Sequence, residues 1–88
     1  MRPYYQASFQ CPDSGVWCVA EWYPDSDDPT GPGRLELHAD DEYATDAQYA
    51  EAEAWCRARA GDGKRFETVD AAEEWLRTVA KDEDLELW

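Results

Sequence analysis

The sequence predicts an α+β fold: a three-stranded antiparallel sheet followed by two helices packed on one of its faces. Three observations predict it. In Gly15–Tyr23, Val16, Cys18, Ala20 and Trp22 alternate with Trp17, Val19, Glu21 and Tyr23, the period of two that a strand imposes on its side chains. Two more alternating runs lie on either side of it, across turn-forming segments. Further on, Val69, Ala72, Trp75, Leu76, Val79 and Ala80 fall on one stripe of a helix, with Asp70, Glu73, Glu74, Arg77 and Lys81 opposite.

The strands come first. Tyr4–Cys11 alternates Tyr5, Ala7, Phe9 and Cys11 against Tyr4, Gln6, Ser8 and Gln10, giving one buried and one wet face. Pro12-Asp13-Ser14-Gly15 is a short polar turn with a glycine free to take positive φ, so the first two strands pair as a hairpin. Its β-branched and aromatic content marks Gly15–Tyr23 as the central strand. Pro24 to Gly33 holds three Pro, two Gly and three Asp, so neither a helix nor a ladder runs through it, and an exposed acidic loop is expected. Arg34–Ala39 alternates again, with Leu35 and Leu37 inward, and completes a meander.

The helices follow. Thr45 and Gln48 have capping-box spacing, and the helix they open runs over Asp46–Ala60 until Gly61-Asp62-Gly63 stops it. Lys64–Glu67 is a connector or short strand, and Thr68 caps a second helix over Val69–Lys81. Ala52–Asp62 lines up with Ala72–Asp82, and the pairs Glu53–Arg57 and Glu73–Arg77 both have i,i+4 spacing. This reads either as two copies of one unit or as two ordinary amphipathic helices of like composition. On the first helix Tyr49, Ala52, Cys56 and Ala60 make the main stripe. Trp55 falls among Gln48, Glu51 and Arg59 and is expected to be partly exposed, capping the core edge or meeting a partner. Asp82 to Trp88 begins acidic and ends in alternation, so it docks as a possible fourth edge strand or stays an acidic tail. The chain reads as one domain: a meander over 1–39, a helical half over 40–81 and a closing segment over 82–88.

Composition narrows function. Five Trp, five Tyr and two Phe supply large buried areas in a chain of 88 residues without isoleucine. Asp and Glu number 21 against 8 Lys and Arg, for a formal net charge of −13 spread from Asp13 to Glu86. That balance argues against direct contact with nucleic acid or anionic membrane and points to a basic protein partner. The N-terminal Met1-Arg2-Pro3-Tyr4-Tyr5 carries no leader-like apolar run and no stretch has the length of a membrane span, so a cytoplasmic protein is expected. Cys11, Cys18 and Cys56 form no CxxC and are odd in number. Buried free thiols are expected, with Cys11 and Cys18 the one pair that could face each other across the hairpin.

No catalytic set emerges. His38 is the only histidine, opposite in parity to Leu35 and Leu37, and no nucleophile motif accompanies it, so the chain is not expected to be an enzyme. Asp25, Asp27 and Glu36 stand at the first, third and twelfth positions of an EF-hand register. That register fails at Pro29, which replaces an oxygen ligand, and at Thr30, which replaces the turn glycine, so neither metal nor cofactor is expected.

The carboxylates are the informative feature. Candidate partner-binding residues are Asp25, Asp27 and Asp28 in the first loop, Asp40, Asp41 and Glu42 before the first helix, Glu51 and Trp55 on it, and Asp82, Glu83 and Asp84 after the second. Duplex DNA presents one negative charge per roughly 1.7 Å of axis, and carboxylates fixed on a folded scaffold imitate such a density. In size and charge the chain resembles the small acidic inhibitors of phages and mobile elements: anti-CRISPR, anti-restriction and uracil-glycosylase-inhibitor proteins. The likeness lies in composition and assigns no residue. It implies an inhibitor that fills the basic nucleic-acid groove of a defence or DNA-processing protein, in the host cytoplasm if phage-encoded. Two alternatives stand beside it: an acidic adaptor or antidote for a basic protein surface, and a salt-adapted domain whose acidity serves solubility.

Overall fold

The computed structural model describes residues 4–88; Met1-Arg2-Pro3, part of the stretch read above for a leader, lies outside the described residues. The elements are β1 (Tyr5–Gln10), β2 (Trp17–Pro24), β3 (Gly33–Ala39), α1 (Asp46–Ala60), β4 (Lys64–Phe66) and α2 (Val69–Asp82). The four strands form one antiparallel sheet in the order β1-β2-β3-β4, so this is the expected α+β arrangement of a sheet with two helices after the meander. Lys64–Phe66, read as a connector or short strand, supplies the fourth strand, at the β3 edge.

Register follows from side-chain parity. Phe9 lies opposite Cys18 and Trp22 opposite Leu35, which puts Ala7, Phe9, Cys18, Ala20, Trp22, Leu35 and Leu37 on one face. Ala52, Trp55 and Cys56 of α1 and Ala72 and Leu76 of α2 complete a single core with that face. Phe66 joins it as the middle ring of a chain, with centroids 6.4 Å from Trp22 and 5.7 Å from Trp75. The three aromatic rings thus tie β2, β4 and α2 together through large buried areas rather than through many aliphatic residues.

Local chemistry fixes the ends of the elements. Thr45 Oγ1 accepts from the Gln48 backbone N–H at 3.2 Å while Gln48 Oε1 accepts from the Thr45 N–H at 3.0 Å, the reciprocal box that opens α1. Thr68 Oγ1 does the same for α2 through Ala71 N–H at 3.1 Å. Gly15 sits at φ +71° in the β1–β2 turn, a conformation that costs other residues more.

The C-terminal segment reaches the other edge of the sheet. Ser8 N–H donates to Trp88 C=O at 3.0 Å and Trp88 N–H to Ser8 C=O at 2.8 Å, a reciprocal antiparallel pair that ties the segment beside β1. Asp84, at φ +57°, lies in the stretch between the end of α2 and this docked segment.

Cys11, Cys18 and Cys56 are all buried free thiols. Cys18 Sγ donates to the Val16 C=O at 3.6 Å, and the neighbouring Cys18 thiol together with burial pushes the Cys56 thiol above its ordinary range. The two helices differ where the repeat reading makes them alike. Glu73 pairs with Arg77 at 2.6 Å, whereas Glu53 accepts from the Ala39 backbone N–H at 2.8 Å and Arg57 turns to Asp62 at 3.2 Å. No helix among the described residues is long and apolar enough to cross a membrane.

Candidate functional site

No charged residue among the described ones is buried, so every described carboxylate reaches the surface, and the question is which of them lack a counter-charge. The guanidinium groups of Arg34, Arg57, Arg59, Arg65 and Arg77 are committed to Glu36, Asp62, Glu83, Asp25 and Glu73. Lys64 lies over the Phe66 and Trp75 rings, 5.8 and 5.6 Å from their centroids. Lys81, exposed near the end of α2, makes no ion pair, and among the described residues the carboxylates outside these pairs have no salt-bridge partner.

β2 separates the acidic clusters. Its eight residues run from Trp17 to Pro24, about 23 Å at the usual rise, so the loop after Pro24 and the loop after β3 occupy opposite ends of the sheet. At the Pro24 end, Asp25 is held by both terminal nitrogens of Arg65, which keeps its carboxyl below the usual aspartate range. Asp28 is likewise lowered, by the Thr30 hydroxyl at 2.6 Å and the Thr30 backbone N–H at 3.0 Å. These contacts order the loop and engage both oxygens of Asp25 but only Oδ1 of Asp28. Among the described residues Asp27 has neither a hydrogen bond nor an ion pair, and Asp28, bonded only to neutral Thr30, has no counter-charge.

The Trp17 end is built differently. Asp40 N–H donates to Trp17 C=O at 2.8 Å, extending the β2–β3 ladder by one bond. Asp41 then accepts from Trp17 N–H at 3.2 Å through one carboxylate oxygen and from Tyr43 N–H at 3.0 Å through the other, so its side chain organises the turn. Asp40 and Glu42 stay exposed and unpaired beside a shallow cleft of about 300 Å³ lined by Trp17, Asp41 and Tyr43. On the other side of Trp17 a larger cleft of about 570 Å³ is lined by Glu83, Asp84, Glu86 and Trp88. Trp17 thus lines both clefts with 40 % of its surface exposed, flanked by Tyr43 at 89 % and Trp88 at 73 %.

Two of the expected acidic clusters therefore meet around an exposed indole, and the third does not. Asp82 is exposed at the end of α2 and Glu51 on α1, and neither lines either of these two clefts. The expectation of a partly exposed Trp55 is corrected: only 8 % of it is accessible. Phe9 packs against it at 5.5 Å, and the Arg59 guanidinium, pinned by Glu83, covers the ring at 3.9 Å. Trp55 is core and offers no ring face to a partner.

Trp17 and Tyr43 are exposed cleft residues, and so candidate site residues, that the sequence reading does not single out. The signal for Trp17 was its outward parity on the central strand, and for Tyr43 its position directly after three acids.

His38 lies on the solvent face of β3, 2.8 Å from Glu36, which also binds Arg34 at 2.6 Å. Burial raises the Glu36 carboxyl, but the His38 and Arg34 hydrogen bonds outweigh it and the group lies below the usual glutamate range. Among the described residues no group of three His, Cys, Asp or Glu side chains is arranged to hold a metal. Comparison with protein-family models, with curated proteins and with solved structures returns no match.

Proposed function

We propose that this protein is an acidic binding module that inhibits a nucleic-acid-handling protein by occupying its basic groove, with the Trp17 end as the contact surface. The observation that carries the reading is an exposed indole bordered on one side by Asp40 and Glu42 and on the other by Asp84 and Glu86, four carboxylates with no ion pair among the described residues. Opposite charge steers the encounter, and the aromatic supplies the desolvated contact that sets its lifetime.

Charge density supports the mimic form. A net charge of −13 along a long axis of 38 Å is roughly one charge per 3 Å, between the ~1.7 Å of a duplex and the ~3.4 Å of one strand. The likeness in size and charge to phage-encoded inhibitors makes a bacterial defence complex the leading partner, met in the cytoplasm of a host cell. Binding rather than catalysis is the role, and His38→Ala leaves it intact.

The convergence of free carboxylates on one end, rather than along a line, favours a second reading: an adaptor or antidote that grips a basic protein surface without imitating nucleic acid. Capture of intracellular partners at low and high salt, followed by competition with duplex DNA and with RNA, separates the two. The mimic predicts a salt-sensitive partner displaced by nucleic acid. A partner that holds nucleic acid and this protein independently overturns mimicry in favour of the adaptor. If no salt-sensitive partner is captured, both readings fail and the acidity reverts to a solubility device.

A further inference from the structure

Next to the larger cleft the chain has already solved one recognition problem. Arg59 lays its guanidinium over the Trp55 ring at 3.9 Å while Glu83 takes its charge. Glu83 also lines the cleft, and the cleft repeats the same components without an arginine: the indoles of Trp17 and Trp88, and the carboxylates of Asp84 and Glu86, which make no ion pair among the described residues. About 570 Å³ is room for a long side chain together with the backbone that carries it.

We infer that this cleft is the receptor for an arginine side chain of a basic partner protein, its guanidinium stacked on an indole face and its N–H fork directed to Asp84 and Glu86. The inference rests on the Trp17 end being the partner-binding surface and specifies the chemistry of the partner there. Arginine fits better than lysine for two reasons. A planar, weakly hydrated guanidinium gives up little hydration to lie against a ring, and its donors reach two carboxylates at once. The compact ammonium of lysine keeps its water.

The test uses blocked hexa-arginine and hexa-lysine peptides, equal in charge, titrated calorimetrically into the protein at the same salt. Hexa-arginine is expected to bind roughly 3- to 10-fold tighter. Trp17→Ala and Trp17→Leu, the second of which keeps apolar bulk on the strand, both reduce hexa-arginine to the hexa-lysine level and change hexa-lysine by less than about 2-fold. Asp84→Asn with Glu86→Gln weakens hexa-arginine more than hexa-lysine, and asparagine suits the positive φ of position 84. Far-ultraviolet dichroism and a melting curve verify that each variant is folded. In the ¹⁵N–¹H spectrum the Trp17 indole N–H moves with hexa-arginine.

Equal affinity for the two peptides, or an arginine preference that survives in both Trp17 variants, overturns the inference. If that result accompanies salt-sensitive capture of a cellular partner, the arginine receptor falls and the binding-module reading stands. If neither peptide binds and no partner is captured, both fall.

Discussion

The two ends of the sheet carry similar acidic sequences and have opposite fates. Asp25, Asp27 and Asp28 follow β2, and Asp40, Asp41 and Glu42 follow β3. At the Pro24 end the fold supplies Arg65 from β4, which ties Asp25 to the sheet, and Thr30 from the loop itself, which binds Asp28 within the loop. At the Trp17 end only Asp41 is used internally, by backbone N–H groups, and Asp40 and Glu42 face outward beside an exposed ring. Acid density alone therefore does not define a site. On the proposed reading, what distinguishes one is the absence of an internal counter-charge together with an apolar contact next to it.

The largest effect is expected at the structural end. Gly33 begins β3 opposite Pro24, and a Cβ there would lie 2.5 Å from the Tyr23 carbonyl oxygen and 2.7 Å from the Trp22 ring. Backbone and a fully buried indole cannot both yield, so Gly33→Ala is expected to cost about 3 kcal/mol, lowering Tm by more than about 10 °C. Gly31→Ala, whose Cβ meets Asp28 only at ordinary contact distances of 3.6 Å, is expected to be near neutral. Thermal melts followed by dichroism read both. Below its Tm the Gly33 variant should bind hexa-arginine as the parent does, because the Trp17 end is a strand's length away. A variant that loses binding while folded would break the separation of the two ends.

A smaller effect is expected from charge reversal, and it is confined to one end. Asp40→Lys with Glu42→Lys should weaken hexa-arginine binding by about tenfold, mostly through the association rate, whereas Asp27→Lys with Asp28→Lys should change it by less than about twofold. Asp41 is left alone because its replacement would release the Trp17 and Tyr43 backbone groups. Stopped-flow fluorescence resolves the rates, and equal losses from the two double variants would mean that the partner reads overall charge rather than an end.

The strands and helices were legible because their signals are local. Alternation set the faces of β1, β2 and β3, and Thr45 with Gln48 set the start of α1. The misreadings are all non-local. The Asp25–Arg65 pair joins residues forty positions apart, so the Pro24 loop looked as available as any other acidic loop. Trp55 looked exposed on the helical surface because the residues that cover it, Phe9 and an Arg59 pinned by Glu83, are positioned by the fold. For the same reason the Trp17 end was invisible. It exists because β2 starts where β3 ends, and because Trp88 pairs with Ser8 and brings the acids after α2 to the same corner.

The smallest effect tests how the Pro24 end is neutralised. The Arg65 hydrogen bonds hold the Asp25 carboxyl below its ordinary value, which is about 3.9 for an unperturbed aspartate. Because the folded-state value is the lower one, the Asp25–Arg65 contribution is fully present above the unfolded value. It is lost only as pH falls through the folded one. At neutral pH the pair is intact, and acidification below the usual carboxylate range is needed to open it. Arg65→Gln removes the cation and should raise the Asp25 midpoint toward the ordinary value, read from its side-chain carboxyl carbon in an NMR titration. The pair lies at the surface, so the change in melting temperature should be slight, while the Pro24 end gains an uncompensated carboxylate of the kind found around Trp17. If that gain alone brought hexa-arginine to the Pro24 end, with chemical shifts moving at Asp25 as strongly as at Trp17, the exposed indole would not be what makes the other end a site. Shifts that stay at Trp17 would show that unpaired charge is insufficient without the ring.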